Sequence, residues 1–432
     1  MNLDKSISTA SRWTRTDTWA FISFSMGMFL ESYIFGMASV ATTWVTIPPD
    51  FTAILLSWSP LWLIIGIAVA GPVSDRIGRK DVFYITMAMY GVGAIGITLS
   101  YSFYLILIFL AILLFASGGE MNTIMALSQE IMPRQHRSST MLLELNFIPL
   151  GGLVLAGVAF STAYGSVFFQ RIMIAGTIVI VLIVLLASRR YLPESFLWLA
   201  SMGHEKQAKA DAIKYYGEDR FSQSIGNISK KSEKDELDRT KHFWLKFFAT
   251  LTTAFAGTTG FGLIAYELGP IIFPNLTDLI LLVSSVAAFV VGFIGLFGER
   301  VSRKKMLLYG NVGALVLTLI TYETIGTWSK YIIMFWMLVI ALNAFVQLGY
   351  LAEDTLKSEV WATKSRGTLT ALVRFLGIGL YIPTIYITYT YSLDQYMLFN
   401  IFVWVIGSAG AITWYILGKE TGLGITVENA DW

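Results

Sequence analysis

Long stretches free of Asp, Glu, Lys and Arg dominate the chain, and a helix needs about 20 mainly apolar residues to cross a bilayer. Residues 51–74, 145–170, 247–266, 279–298, 331–352, 375–393 and 395–418 are such stretches, and 82–119 is long enough for two spans joined near Ser100 to Ser102. Three more complete the set: 19–42, interrupted by Glu31; 166–188, interrupted by Arg171; and 305–323, after a basic cluster. The pattern predicts an all-α membrane protein with twelve transmembrane helices, six on either side of a charged segment. That segment, 189–242, runs through EKQAKADAIKYYGEDRF and SKKSEKDELDRTK; it is too polar for lipid and reads as a cytosolic linker with short surface helices. The expected units are a tail at 1–18, a six-helix half at 19–188, the linker at 189–242, a second half at 243–417 and a tail at 418–432.

Charge placement sets the orientation. With the N-terminus in the cytoplasm, all but three of the 31 Lys and Arg fall on that side; Lys330 lies outside, and Arg171 and Arg374 are embedded. Short basic loops stay on the cytoplasmic side, so both termini are expected there, in a multi-pass protein of the cell membrane. The opening MNLDKSISTASRWTRTD is polar for too long to be a cleaved signal, so the first span is expected to act as an anchor.

Composition narrows the classes further. The chain is 55% apolar and 14% charged, against roughly 45–50% and about 25% in soluble proteins, and this excludes an ordinary soluble enzyme. Its mean hydropathy is +0.63. With no cysteine, it has no disulfides, thiolate metal sites or cysteine nucleophile, and His136, His204 and His242 are scattered, so no metal is expected. A net charge of +2 argues against a nucleic-acid partner. No GxxxxGK[ST] loop is present to serve ATP, and no cofactor is expected.

The two halves repeat at corresponding span ends. GPVSDRIGRK begins at Gly71 and GLFGERVSRK at Gly295. Glu130 precedes Arg137 by seven residues, as Glu359 precedes Arg366, and LPES aligns Glu194 with Glu420 of GKET. The offsets, 224, 229 and 226 residues, agree closely. Gly71 permits close helix approach and Gly78 suits a tight turn, where the second half has Ser302. Asp75 and Glu299 can sit at the positive N-terminus of a neighbouring helix, and Arg137, Arg366, Glu194 and Glu420 suit charge-assisted pairs.

On these motifs the chain resembles the major facilitator superfamily, in its sugar and metabolite symporter branch; PESFLWL followed by Gly203 is similar to that branch's signature after span 6. The resemblance implies two pseudo-symmetric six-helix bundles around a central cavity that opens alternately to each side. It also implies a latch at the cytoplasmic ends, formed by Gly71, Asp75, Arg76, Gly78, Arg79, Glu130, Arg137 and Glu194 of the first half. Its counterpart comprises Glu299, Arg300, Arg303, Glu359, Arg366 and Glu420. The paired-glutamine and Gly-Pro-Trp patterns of true hexose carriers are absent from TTAFAGTTGFG and ALNAFVQLGYLAED.

Ionisable groups at membrane depth are costly, so each needs a reason. Glu31, in GMFLESYIFG of span 1, is the first choice for a proton carrier, and Glu120, in SGGEMN of span 4, the second. Glu144 of span 5 and Arg374 of span 11 occupy nearly symmetric places and are expected to pair or, for Arg374, to meet a substrate carboxylate. Arg171 is expected only to snorkel. Asn343, Gln347 and Tyr350 form a polar stripe on span 10, and Thr252, Thr259 and Tyr266 another on span 7; both are expected to face the cavity, with hydrogen bonding between helices the alternative, above all for the threonines.

These readings converge on a monomeric secondary transporter in membrane lipid. It moves a small polar organic solute (sugar, sugar acid or organic acid) with protons, by alternating access. The rivals are a proton-independent uniporter, a transport-dead receptor or scaffold and, more weakly, a membrane enzyme, for which no nucleophile with its base is visible.

Overall fold

A computed structural model describes residues 13–48, 51–195, 199, 202–216, 242–361 and 366–423. Among them are twelve helices long and apolar enough to cross a membrane. Spans 1 to 6 are Arg15–Ala41, Thr52–Ser74, Arg79–Leu99, Phe103–Met125, Arg137–Thr162 and Val167–Arg189. Spans 7 to 12 are Phe243–Ile272, Pro274–Arg300, Arg303–Glu323, Ile332–Glu359, Thr368–Thr388 and Leu393–Leu417. The break at Ser100–Ser102 falls where the sequence places it.

Capping explains the starts that hydropathy misses. Span 1 begins four residues before its first expected position because Thr14 and Asp17 form a capping box, with Thr14 N–H donating to Asp17 Oδ2 at 2.8 Å. Span 5 begins at Arg137, not 145, since the expected charge-free stretch stopped at Glu144, which is buried inside the helix. The same stretch ran past Thr162 into span 6, because the connecting turn carries no charge. The segment assigned to the linker opens with Arg189, which is the fully buried last residue of span 6. Beyond it, a polar helix covers Glu205–Tyr216, and Thr16 donates to its Tyr215 carbonyl at 3.2 Å.

Each half is a six-helix bundle. In the first, spans 2 and 4 pack closely at Gly66 and Gly118, where a Cβ on either would collide with the backbone of the facing helix. The halves meet along spans 5 and 8 and along spans 2 and 11, while spans 3, 6, 9 and 12 expose apolar side chains such as Ile95, Ile183, Val316 and Phe402. Lipid-facing helices therefore surround a core in which spans 1, 4, 5, 7, 10 and 11 converge.

Candidate functional site

Where the halves converge, a cavity of about 100 Å³ opens midway along the spans. That is room for several waters or one small solute. Its walls are mostly apolar and aromatic, with Phe35, Phe261, Tyr266 and Tyr350 among them, and Glu31, Ser32, Thr258, Gln347, Lys357 and Arg374 supply the polar groups. Such a lining, apolar with a few polar groups, is the usual form of a small-molecule site.

The polar groups are not equally committed. Arg374 Nη2 donates to Asp354 Oδ1 at 2.6 Å, and Lys357 Nζ lies 3.2 Å from Glu353 Oε1 and also pairs with Asp354. Glu31 is 8% exposed, and its Oε2 is buried without a hydrogen-bond partner, as is Nε2 of Gln347. The Glu31 carboxylate can thus accept from a guest and the Gln347 amide can donate to one. Ser32 Oγ and Tyr266 Oη, 2.9 Å apart, tie span 1 to span 7 beside them.

Hydrogen bonds bridge the halves at both ends of the cavity. At the end bearing the termini, Glu299 Oε1 accepts from Ser138 N–H at 2.9 Å and Ser139 N–H at 3.1 Å, the first turn of span 5. Arg303 donates to Ser138 Oγ from the same side. At the far end, Ser57 Oγ and Tyr386 Oη are 2.9 Å apart, and Ser39 Oγ donates to the Tyr266 carbonyl at 2.9 Å.

The repeat is also present as geometry. Glu194 accepts from Arg79 N–H at 3.2 Å and Lys80 N–H at 3.0 Å, capping span 3; Glu420 accepts from Arg303 N–H at 2.8 Å and from Ser302 Oγ, capping span 9. Sequence and structure are thus duplicated together. The family model described as "Sugar (and other) transporter" matches residues 26–431.

The chain belongs to that family.

It is a multi-pass membrane transporter of the major facilitator fold. Over 399 residues it is 25% identical to the glucose transporter GlcP of Staphylococcus epidermidis, covering 85% of this chain and 86% of that one. A D-xylose transporter of Levilactobacillus brevis is 26% identical over 187 residues, 41% of this chain and 40% of the relative. Among solved structures, the proton:xylose symporter XylE bound to 6-bromo-6-deoxy-D-glucose superposes with a TM-score of 0.72 at 18% identity, covering 99% of this chain and 98% of that one. The partially occluded inward open form of XylE from E. coli gives 0.73 at 17%, over 96% and 99%. At such identities these structures show the shared fold.

Several expected site residues of the transporter sit elsewhere. Glu120 does not reach the cavity: its oxygens are bound by Arg189 at 2.7 and 2.8 Å and by Thr86, and Arg189 also lies over the Phe83 ring. Glu144 and Arg374 do not pair, because Glu144 accepts from Ser128 Oγ at 2.7 Å while Asp354 holds the arginine. Arg171 does not snorkel; it is buried over Trp44 and donates to the carbonyls of Ser100 and Trp44. Of the span 10 stripe, Gln347 and Tyr350 line the cavity, whereas Asn343 donates to Ser284 Oγ of span 8 at 3.1 Å.

Span 7 departs from its stripe for a structural reason. Leu263–Glu267 is a π-helical turn, which inserts one residue into the α-helical register. Tyr266 consequently shares a face with Thr258 and Gly262, and Thr259 is buried outside the lining.

In the expected latch, Glu194 and Glu420 bind helix N-termini rather than arginines, while Arg137 Nη2 donates to the Met132 carbonyl at 3.4 Å. Gly78, at φ 100°, makes the turn after span 2. Arg76 and Arg300 are exposed, and Glu359 is half-buried at the end of span 10. The side chains of Gly71, Asp75, Glu130 and Arg366 lie outside the described residues.

The sequence reading missed Glu353, Asp354, Lys357 and Arg189, together with Glu267, to which Tyr381 Oη donates at 2.9 Å. A usable signal existed on span 10. Lys357 follows Glu353 by four residues and Asp354 by three, the spacings at which helical charges neutralise one another and can be buried.

Proposed function

We propose that the protein carries a neutral, hydroxyl-rich solute of monosaccharide size, with protons, by alternating access around the central cavity. Charge balance supports the neutral solute. Glu31, Glu353 and Asp354 face Lys357 and Arg374, and both cations already hold carboxylates. A solute carboxylate would find no uncommitted positive charge and, with Glu31 ionised, would enter a cluster already carrying one excess negative charge. Protonation of Glu31 brings that cluster to neutrality. Aromatic walls with the open donor of Gln347 and the open acceptor of Glu31 suit sugar hydroxyls. The relatives named for glucose and D-xylose point to the same class.

The observation that carries this reading is the unpartnered Glu31 oxygen on a cavity between two halves. The acidic residues capping spans 3, 5 and 9 act as the latch in this reading, at the end assigned to the cytoplasm with both termini by the basic loops. The units at 1–18, 19–188, 189–242, 243–417 and 418–432 are then tail, rocking bundle, linker, rocking bundle and tail, with Arg189 moved into the first bundle.

The test is uptake of D-glucose and D-xylose by proteoliposomes under an inward proton gradient. Wild type accumulates one of them above equilibrium. Glu31→Gln loses accumulation and retains counterflow. Unchanged accumulation in that variant would remove Glu31 from coupling, and wild-type uptake that stops at equilibrium would establish a uniporter.

A further inference from the structure

Arg374 shares one cavity wall region with acids from both halves of the molecule. Asp354 of span 10 holds its Nη2 at 2.6 Å, with both side chains 2% exposed or less. Glu31 of span 1 lines the same cavity, within electrostatic reach of Arg374, Asp354 and Lys357, and has an oxygen without a partner. A buried ion left without its partner is unfavourable, so movement of a cation toward Glu31 would favour its ionisation. Arg374 is suited to move, because its present partner Asp354 has a second cation in Lys357, which it shares with Glu353.

The other charged and titratable groups around Glu31 are spoken for. Glu120 and Arg189 are bonded to each other, and Glu144 accepts from Ser128. Lys357 is held by Glu353 and Asp354, and Tyr266 by Ser32, while the phenols of Tyr350 on span 10 and Tyr90 on span 3 lie within electrostatic reach.

We propose that Asp354 is a positioning residue for proton coupling: by retaining Arg374 within the second half, it withholds the guanidinium from Glu31 and keeps Glu31 a proton site. Transfer of Arg374 from Asp354 to Glu31 then accompanies proton release, so the arginine's choice of partner links the proton to the relative position of the halves. The proposal rests on Glu31 as the proton carrier.

Infrared difference spectroscopy of the protein in liposomes, with no sugar added, tests both parts separately. In mildly acidic buffer, wild type shows a protonated-carboxyl band that Glu31→Gln lacks. Asp354→Asn abolishes that band, because the released Arg374 pairs with an ionised Glu31. The double variant Asp354→Asn with Arg374→Gln restores it, and this variant removes both partners of the buried pair, so it is the better candidate to fold. Persistence of the band in Asp354→Asn, or its absence from the double variant, overturns the role of Asp354 alone. A wild type without any Glu31-dependent band overturns the proton carrier and the switch with it.

Discussion

Two buried acids, Glu31 and Glu120, occupy similar sequence settings and have opposite surroundings. Glu120 is held bidentately by Arg189 at 2.7 and 2.8 Å, whereas Glu31 has an open oxygen on a cavity. Removing one partner of a buried pair costs about 3–5 kcal/mol. Arg189→Ala is therefore expected to lower the unfolding temperature markedly, and Glu120→Gln to weaken stability while leaving proton-coupled uptake intact, with thermal unfolding and uptake assays as the measurements. Gly78 sits at φ 100° and ψ 157°, a region open to almost no other residue, so Gly78→Ala is expected to cost about 1–3 kcal/mol in unfolding free energy. Glu31 stood out in the sequence because an isolated charge in an apolar span demands a reason, and the structure places it on the cavity. Glu353, Asp354 and Lys357 did not stand out, because charges at a helix end look like solvated charges until the helix is seen to continue to Glu359 under cover.

Among the elements, span 7 shows best how far periodicity reaches. An α-helical wheel puts Thr259 and Tyr266 on one face, and the π-helical turn at Leu263–Glu267 separates them. Nothing in the residue pattern announces an inserted residue, since the turn is stabilised by what surrounds it: Tyr266 reaches Ser32, Glu267 meets Tyr381, and Tyr396 Oη donates to the Leu263 carbonyl at 2.6 Å. Tyr381→Phe removes the hydroxyl that donates to Glu267, and an unsatisfied buried polar group costs about 1–3 kcal/mol. The expected result is a lower unfolding temperature and faster hydrogen exchange in Leu263–Ile272, read by mass spectrometry. Capping also outweighs hydropathy at helix starts: the box of Thr14 and Asp17 sets the start of span 1 ahead of its apolar stretch.

For the whole molecule, twelve spans, the duplication and the division into halves were all readable, because bilayer thickness fixes span length and matched motifs recur at a nearly constant offset. The relation between the halves was not readable, since it depends on contacts such as Glu299 with Ser138 and Ser139. Glu299→Ala removes two of the bonds closing the termini end and shifts the population toward opening there. The cysteine-free chain makes this measurable: a single cysteine replacing Ile148 in the cavity wall should react several-fold faster with maleimide in the Glu299→Ala background.

Hydrogen bonds tie the halves at Glu299 with Ser138 and again at Ser57 with Tyr386. A guest enclosed in this state has exchanged its hydration shell for protein groups and shares neither bath's chemical potential. Leakage of ions or water past it would need both closures to fail at once, so a mutation that loosens a single end should bias the cavity toward that side before it makes the membrane permeable.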